Sequence, residues 1–483
     1  MVATDTVLLW TLSICTLSVV CGKSSVSVDI NTDSVLQTID HRFVGVTFDA
    51  ILIHNGFQNT GVDFSSPQLK TLARAFSPCI LRIGGTDADG VRFNPSLKTP
   101  TVSDSVLTAH VWDEINNFTR DVGWDLIFGL SVLQRKDGRW DPTNADQLLD
   151  YTTQKGYDIY GFELGNEPLS IPDHYNTSIS GSQLGRDFLT FHDELRKRPY
   201  FKDTLILGPD IFYIERGISF MKDFLTSGGA RSVDAITFHH YFGNGKEGRL
   251  ANFTDPVFMD RLKVTLDIAR NATSDAPAGT PLWLGETGSF FDHGVMNMTN
   301  TFVDGFLWLD KLGLSAQSGI KKVIRQDFSG PGWVFHNLIE PFINYPETDY
   351  WLTLLFKQLV GNVVFDTKGS TNIRIYAHCT KNKNNYGYPS GSVTVYAMNL
   401  DTEDASVIFP KALNNRMELF WLSPVGDDPR AKNVLLNRVQ SLYMVNNKIP
   451  VFRPRSQTGG PVILPPRTYG FIVFPEAHVS ACY

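Results

Sequence analysis

The chain has 483 residues, a length for one large domain with an accessory one, and its 42% hydrophobic and 19% charged residues exclude a disordered chain. A formal net charge of -7 argues against nucleic acid, or an anionic membrane, being held through overall charge.

The first apolar run, VLLWTLSICTLSVV, extends from Val7 to Val20 and is followed by Cys21-Gly22. It is short for a bilayer span and ends in small residues, so residues 1–22 read as a secretory signal peptide, with a short anchor as the alternative. No later run is long enough to span, and no stable membrane insertion is expected. Asn-X-Ser/Thr sequons at Asn117, Asn176, Asn252, Asn271 and Asn297 agree with the secretory route, and the expected location is extracellular or lysosomal.

Residues 23–42 contain SSVSVDI, whose alternation predicts a strand that returns to pair near the C-terminus. From 43 to 361 short apolar runs alternate with helical patterns, the rhythm of repeated β-α units. Eight runs read as strands: FVGVTFD, ILRIGG, DLIFGLS, YGFELGN, TLILGPD, DAITFHHY, PLWLGE and KKVIRQD. Segments such as SPQLKTLARAF, ADQLLDYTTQKG and NTFVDGFLWLDKLGLSA place apolar residues three or four apart and predict helices between them. Eight such units predict a (β/α)8 barrel. Residues 362–483 change rhythm: GSVTVYAMNL, RMELFWL and TYGFIVFP are strand-like and separated by turn residues, which predicts a β-sandwich completed by the N-terminal strand. With the leader removed, Cys79, Cys379 and Cys482 remain. Cys79 opens an apolar strand and reads as a buried free thiol, leaving Cys379 and Cys482 as the natural pair.

In such a barrel, polar residues at the carboxyl ends of strands face the active-site mouth. Those ends carry Asp49, Thr86, Asn166, Glu167, Asp210, His239, Tyr241, Glu286, Arg325 and Gln326. Glu167 ends the fourth strand and Glu286 the seventh, each behind an apolar strand and a glycine (ELGNE, LWLGE). Barrel closure brings them to one mouth, and facing carboxylates are what glycoside hydrolysis requires, one as acid and one to attack or stabilise an oxocarbenium-like centre. Glu163, inside the fourth strand, reads as a structural partner of Arg82 or Arg325. His239 and His240 are adjacent, so on a strand they face opposite sides, which disfavours a metal site; no metal or organic cofactor is expected.

WDLIFGLSVLQR, LLDYTTQKGYDIYGFELGNEP, DAITFHHYF, PLWLGETGS, DGFLWLDKLGLSA, VIRQDFSG, DYWLTLLFKQLVGN and the terminal VSACY together resemble the heparanase family of endo-β-glucuronidases, which includes a leech-type hyaluronidase and a non-catalytic homologue. The resemblance spans nearly all the chain after the leader. It implies a secreted, retaining enzyme that cuts glucuronidic bonds in heparan sulfate or hyaluronan, with Glu167 as acid/base and Glu286 as nucleophile. It further implies that Asn166 bonds the sugar 2-hydroxyl, that Asp49, Thr86, His239 and Tyr241 line the site, and that Tyr241 holds Glu286 ionised. Lys246, Gln326 and Gly332 are further expected substrate contacts, and the resemblance places the family's disulfide on Cys379 and Cys482.

Three departures from the family stand out. The segment from Gly90 to Trp124 is too short for the excised linker of latent proenzymes, so a single-chain enzyme is expected. Basic clusters that grip sulfated chains are thin, leaving Lys246 and Arg249, and this favours a less charged polymer. The loop TGSFFDHGV, after Glu286, lacks the adjacent glycines that hold the sugar carboxylate, and DFSGPGWVF lacks a clear match for the family's tyrosine, with Trp333 and Phe335 nearby. The alternative readings are a non-catalytic glycosaminoglycan-binding homologue and an exo-acting glucuronidase on small glucuronides. The protein is expected to act as a monomer.

Overall fold

Eight parallel strands follow one another round a closed barrel in chain order: β1 Val44–Asp49, β2 Cys79–Gly84, β3 Trp124–Leu130, β4 Gly161–Leu164, β5 Leu205–Ile211, β6 Ala235–His240, β7 Leu282–Thr287 and β8 Val323–Arg325. These are the eight runs expected from the sequence. The computed structural model describes residues 25–57, 60–98, 105–413 and 415–483. The leader, residues 1–22, lies outside them. Among the described residues no helix is long and apolar enough to cross a membrane.

Helices α1 Pro67–Ala75, α2 Ala109–Val122, α3 Thr143–Lys155, α4 Gly181–Arg196, α5 Ile218–Phe224, α6 Arg261–Ala272, α7 Asp304–Gln317 and α8 Thr348–Leu359 follow the strands in turn. Their starts and stops obey local chemistry. Ser66 and Thr108 cap α1 and α2 by accepting from Leu69 N and Val111 N, while Gly123 and Gly156 end α2 and α3 in the left-handed region. Helices α7 and α8 are buried almost all round, because barrel strands lie on one side of them and a large sheet on the other.

The barrel interior is layered. Its amino-terminal end is plugged by Ile80, Ile127, Leu207, Ala235, Trp283 and Ile324. Above that plug the inward side chains turn polar, with Arg82, Glu163, Thr47 and Thr237 all buried. The change from an apolar floor to a polar upper layer places the chemistry at the strands' carboxyl ends.

The C-terminal region is a ten-stranded sheet, which includes Val360–Lys368, Ile373–Thr380, Val393–Asn399, Arg416–Pro424 and Thr468–Phe474, facing a three-stranded sheet. The N-terminal segment serves both sheets: Ser25–Ser27 runs parallel to Ala405–Ile408, and Asp29–Asn31 runs antiparallel to Val360–Lys368. Val28, Ile30, Phe365, Ile375, Val395 and Ile472 are among the residues that fill the space between. The other face of the large sheet lies on the barrel, where Tyr376 donates to Asp310 of α7 (2.6 Å) and Tyr469 donates to the Phe302 carbonyl (2.9 Å). Cys379 and Cys482 form a disulfide with a Cα–Cα distance of 5.3 Å, and Cys79 is a buried free thiol. Of the sequons, Asn117, Asn176, Asn271 and Asn297 are exposed, while Asn252 is half-buried and accepts from Arg249 N at 2.8 Å.

Candidate active site

Strand β2 carries an arginine through an otherwise apolar run, and an inward guanidinium in a barrel must find carboxylates. Arg82 Nε donates to both oxygens of Glu163 (3.0 and 2.8 Å), Nη1 donates to Glu286 Oε2 (2.8 Å) and Nη2 donates to Asn166 Oδ1 (2.9 Å). Between the two candidate partners for Glu163 the structure selects Arg82. Arg325 points the other way: its Nη2 donates to Asp304 (2.8 Å) and Asp349 (3.1 Å), and its guanidinium lies over Trp308, so the strand-end expectation that it faces the mouth is corrected. At the end of the short strand β8 the side chains alternate, and Gln326 takes the mouth-facing position instead.

Glu286 sits at the end of β7 and is 7% exposed. Tyr241 donates to its Oε1 at 2.7 Å. Burial alone would raise this carboxyl, but the charges of His239 and Arg82 and the hydrogen bonds from Tyr241 and Arg82 outweigh it and hold Glu286 below the usual carboxylate range. Glu167 follows β4 on a turn, with a left-handed φ of 43°, its N–H donating to the Asp210 carbonyl (3.1 Å) and its carbonyl accepting from Ser170 N (2.7 Å). Burial pushes its carboxyl up, and the charge of Glu286 adds to the effect against the opposing pull of His239 and Arg82.

His239 connects the two halves of the site. Registered opposite Glu286 across an irregularity between β6 and β7, it places Nδ1 2.8 Å from Glu167 Oε1 and Nε2 3.1 Å from Asp210 Oδ1. Burial would lower its pKa, yet the charges of Glu286 and Asp210 and the hydrogen bonds to Asp210 and Glu167 push it up to about 10. Each ring nitrogen faces a carboxylate oxygen, an arrangement that favours the protonated ring. Glu167, His239 and Glu286 offer atoms that all lie within 4.8 Å of one another, a spacing that also suits a metal ion.

A cleft of about 740 Å³ opens over these groups. Asp49, Thr86, Asn166, Glu167, Tyr241, Glu286 and Gln326 line it, as the sequence reading expects, and Trp333, 57% exposed, stands at its edge with Tyr213 and Phe291. His239 supports the site from behind rather than lining the cleft. Lys246 and Gly332 lie outside the lining, and Lys246 is turned to Asp292 at 2.6 Å. Asp49 accepts from Gln326 Nε2 (2.8 Å) and Ile51 N (2.9 Å), and burial with the nearby Asp327 charge raises it well above the ordinary range. Sequence reasoning treated Arg82 as a partner of Glu163 alone. An arginine inside ILRIGG, two residues before a glycine, was the available signal of a larger role, since a methyl at Gly84 would lie 2.5 Å from the Arg82 Cζ.

Two carboxyls held within reach of each other, one driven toward its acid form and the other toward its anion, in the mouth of a parallel barrel, define a glycoside hydrolase. The family described as "Glycosyl hydrolase family 79, N-terminal domain" matches residues 25–313, and the chain belongs to that family. It is 35% identical to heparanase of Mus musculus, over 95% of this chain and 94% of that one. It is 31% identical to the hyaluronoglucuronidase of Hirudo nipponia, over 95% and 99% of the two chains. A solved 4-O-α-L-rhamnosyl-β-D-glucuronidase of Fusarium oxysporum shares the fold, with a TM-score of 0.65 at 14% identity, over 91% of this chain and 97% of that one.

Proposed function

We propose that the protein is a retaining endo-β-glucuronidase that hydrolyses glucuronidic bonds within glycosaminoglycan chains, heparan sulfate or hyaluronan, outside the cell. The observation that carries the reading is the carboxyl pair. Oxygens of Glu167 and Glu286 approach within 4.8 Å, which favours direct attack over the roughly 6.5–9.5 Å gap that leaves room for water in inverting enzymes. In the first step the ionised Glu286 attacks the anomeric carbon, the glycosidic C–O bond breaks, and the Glu167 proton passes to the leaving oxygen. In the second, Glu167, now ionised, takes a proton from water, whose oxygen attacks the same carbon and releases Glu286. Arg82 and Tyr241 keep Glu286 ionised and aimed, and Asn166, fixed by Arg82, presents its amide N–H groups to the sugar hydroxyl next to the reacting carbon.

The cleft exceeds what one sugar ring fills, and its exposed aromatic edge suits a chain that continues past the cleavage point, which supports endo action. Four exposed sequons and the disulfide support passage through an oxidising secretory route, where glycans are added. The test is incubation of the purified protein with hyaluronan, heparan sulfate and an aryl glucuronide, with sizing of the products. Internal cleavage of a polymer is expected, with losses of about a hundredfold or more in Glu167→Gln and Glu286→Gln. Polymer cleavage surviving in both variants would remove the proposal.

A further inference from the structure

The cleft itself offers little grip on a polyanion. Asp49, Asp87, Glu167, Asp173, Glu286 and Asp292 line it, and among the described residues of its lining there is no Lys or Arg. Positive charge is concentrated on the sandwich instead. Residues 429–475 hold seven Lys or Arg and no Asp or Glu, in a chain whose net charge is -7.

Local structure turns part of that charge outward. Val434–Leu436 and Gln440–Ser441 form a hairpin, and at its turn Arg438 adopts a left-handed φ of 60°. The chain folds back between Val445 and Lys448, which exchange backbone hydrogen bonds (3.2 and 3.0 Å). It returns beside the hairpin, where Gln440 Nε2 donates to the Val451 carbonyl (2.8 Å) and Asn437 Nδ2 donates to the Arg453 carbonyl (3.1 Å). Burial alternates along this returning run. Phe452 is buried against Trp351 of α8, with ring centroids 6.1 Å apart, so its neighbours Val451 and Arg453 face outward, and Arg455 continues the exposed row. Arg438 is paired with Asp427 at 3.6 Å, but both are exposed and such a pair is worth little. Lys448, Arg453 and Arg455 have no carboxylate partner among the described residues. The face begins next to the cleft's rim: Lys432, in the same segment, reaches Glu347 (3.1 Å) and Glu340 (3.5 Å), which lie on the chain between β8 and α8 that also carries Trp333 at the cleft edge.

We propose that this outer row of the sandwich is a second binding surface for an anionic polysaccharide, which holds the chain beyond the cleft through Arg438, Lys448, Arg453 and Arg455. The choice of partner rests on the glucuronidase reading; the surface itself does not. From Lys448 to Arg455 an extended run spans up to about 23 Å, a line that suits a linear polymer. Guanidinium groups match carboxylates and sulfates through paired hydrogen bonds. Tyr443, 51% exposed, and Val451, 73% exposed, add apolar faces for sugar rings to pack on. An anionic membrane is the poorer match, because clusters that hold one carry about four to eight cations and only three here are free of a carboxylate.

The experiment compares two full-length proteins carrying Glu286→Gln, one with Lys448→Gln, Arg453→Gln and Arg455→Gln added, for binding of heparan sulfate and hyaluronan dodecasaccharides. All three side chains are exposed, so the fold is expected to persist. At about 50 mM salt the triple variant is expected to bind about tenfold more weakly, and the gap is expected to close at about 500 mM, where exposed charges are screened. With Glu286 restored, the same three changes are expected to raise KM for the polymer at unchanged kcat and to leave aryl glucuronide hydrolysis untouched. Equal affinity at low salt overturns the inference. So does an equal loss on changing three distant exposed lysines, Lys202, Lys222 and Lys263, to Gln, since net charge alone would then explain it. Phosphatidylserine vesicles form the last arm, and vesicle binding that needs the three residues while polysaccharide affinity does not also overturns it. Weaker polysaccharide binding by the triple variant of a protein that hydrolyses neither substrate supports the surface and removes the glucuronidase reading.

Discussion

At the residue scale the site is a problem in placing charge. Two carboxyls under 5 Å apart cannot both ionise without a cation between or beside them, and the chain supplies two, Arg82 and His239. Arg82 is bonded to Glu286 alone of the pair, whereas His239 touches Glu167 and acts on Glu286 through space, and this asymmetry separates the two protonation tendencies. First-step activity needs Glu167 protonated and Glu286 ionised, so the pH profile is expected to be a bell, widened by the raised Glu167 and the lowered Glu286. Glu167 sets its basic limb and Glu286 its acid limb. His239 lowers the pKa of both, so His239→Gln is expected to move both limbs toward higher pH. A kcat/KM profile that stays put would show that the imidazolium is not what tunes them. Phenylalanine at Tyr241 removes a hydrogen bond to the ionised Glu286 and is expected to lower kcat about tenfold to a hundredfold and raise the acid limb, read in the same measurement.

At the element scale the strands do more than carry residues. Register irregularities interrupt the pairing of β5 with β6, β6 with β7 and β7 with β8, all near the carboxyl ends, and they turn His239 and Glu286 into one mouth. Gly84 closes β2 under the Arg82 guanidinium, where a methyl would stand 2.5 Å from Cζ. Gly84→Ala is expected to push the guanidinium off Glu286 and lower kcat about tenfold to a hundredfold with little change in the far-ultraviolet circular dichroism spectrum. An unaltered kcat would mean that Arg82 adapts without cost. The same strands explain what was legible beforehand. Apolar runs ending in polar residues mark the barrel and its mouth, so Glu167, Glu286, Asn166 and Tyr241 could be read from position alone. Arg325 could not, because a bulge or an early strand end changes which face a side chain takes, and a period of two carries no sign of that. The hub role of Arg82 was hidden for another reason: its partners Glu163, Asn166 and Glu286 are joined only by barrel closure, across strands separated by up to 204 positions.

At the scale of the whole molecule, the sandwich works as a brace. Its large sheet lies on α7 and α8, whose barrel-facing sides carry Lys311 and, through Asp304 and Asp349, hold Arg325 of β8 behind the site strands. Lys311 donates to the Gly288 carbonyl and the Thr287 hydroxyl (2.6 Å each), just beyond Glu286. The Cys379–Cys482 bridge closes a loop over a sequence separation of 103 and pins the C-terminus to that sheet. Replacing both cysteines by serine is expected to cost about 3–5 kcal/mol, seen as a lower Tm, with kcat preserved at temperatures where the fold persists. A loss of kcat in the folded variant would show that the brace reaches into the chemistry. The claim on which the rest depends is that Glu286 bonds to the sugar, and the most direct measurement is mass spectrometry of the intact enzyme after exposure to a 2-deoxy-2-fluoro-β-glucuronide bearing a reactive leaving group. The account predicts one glycosyl adduct on the peptide containing Glu286, formed as activity is lost. An adduct on another residue, or continued turnover with no adduct, would contradict it.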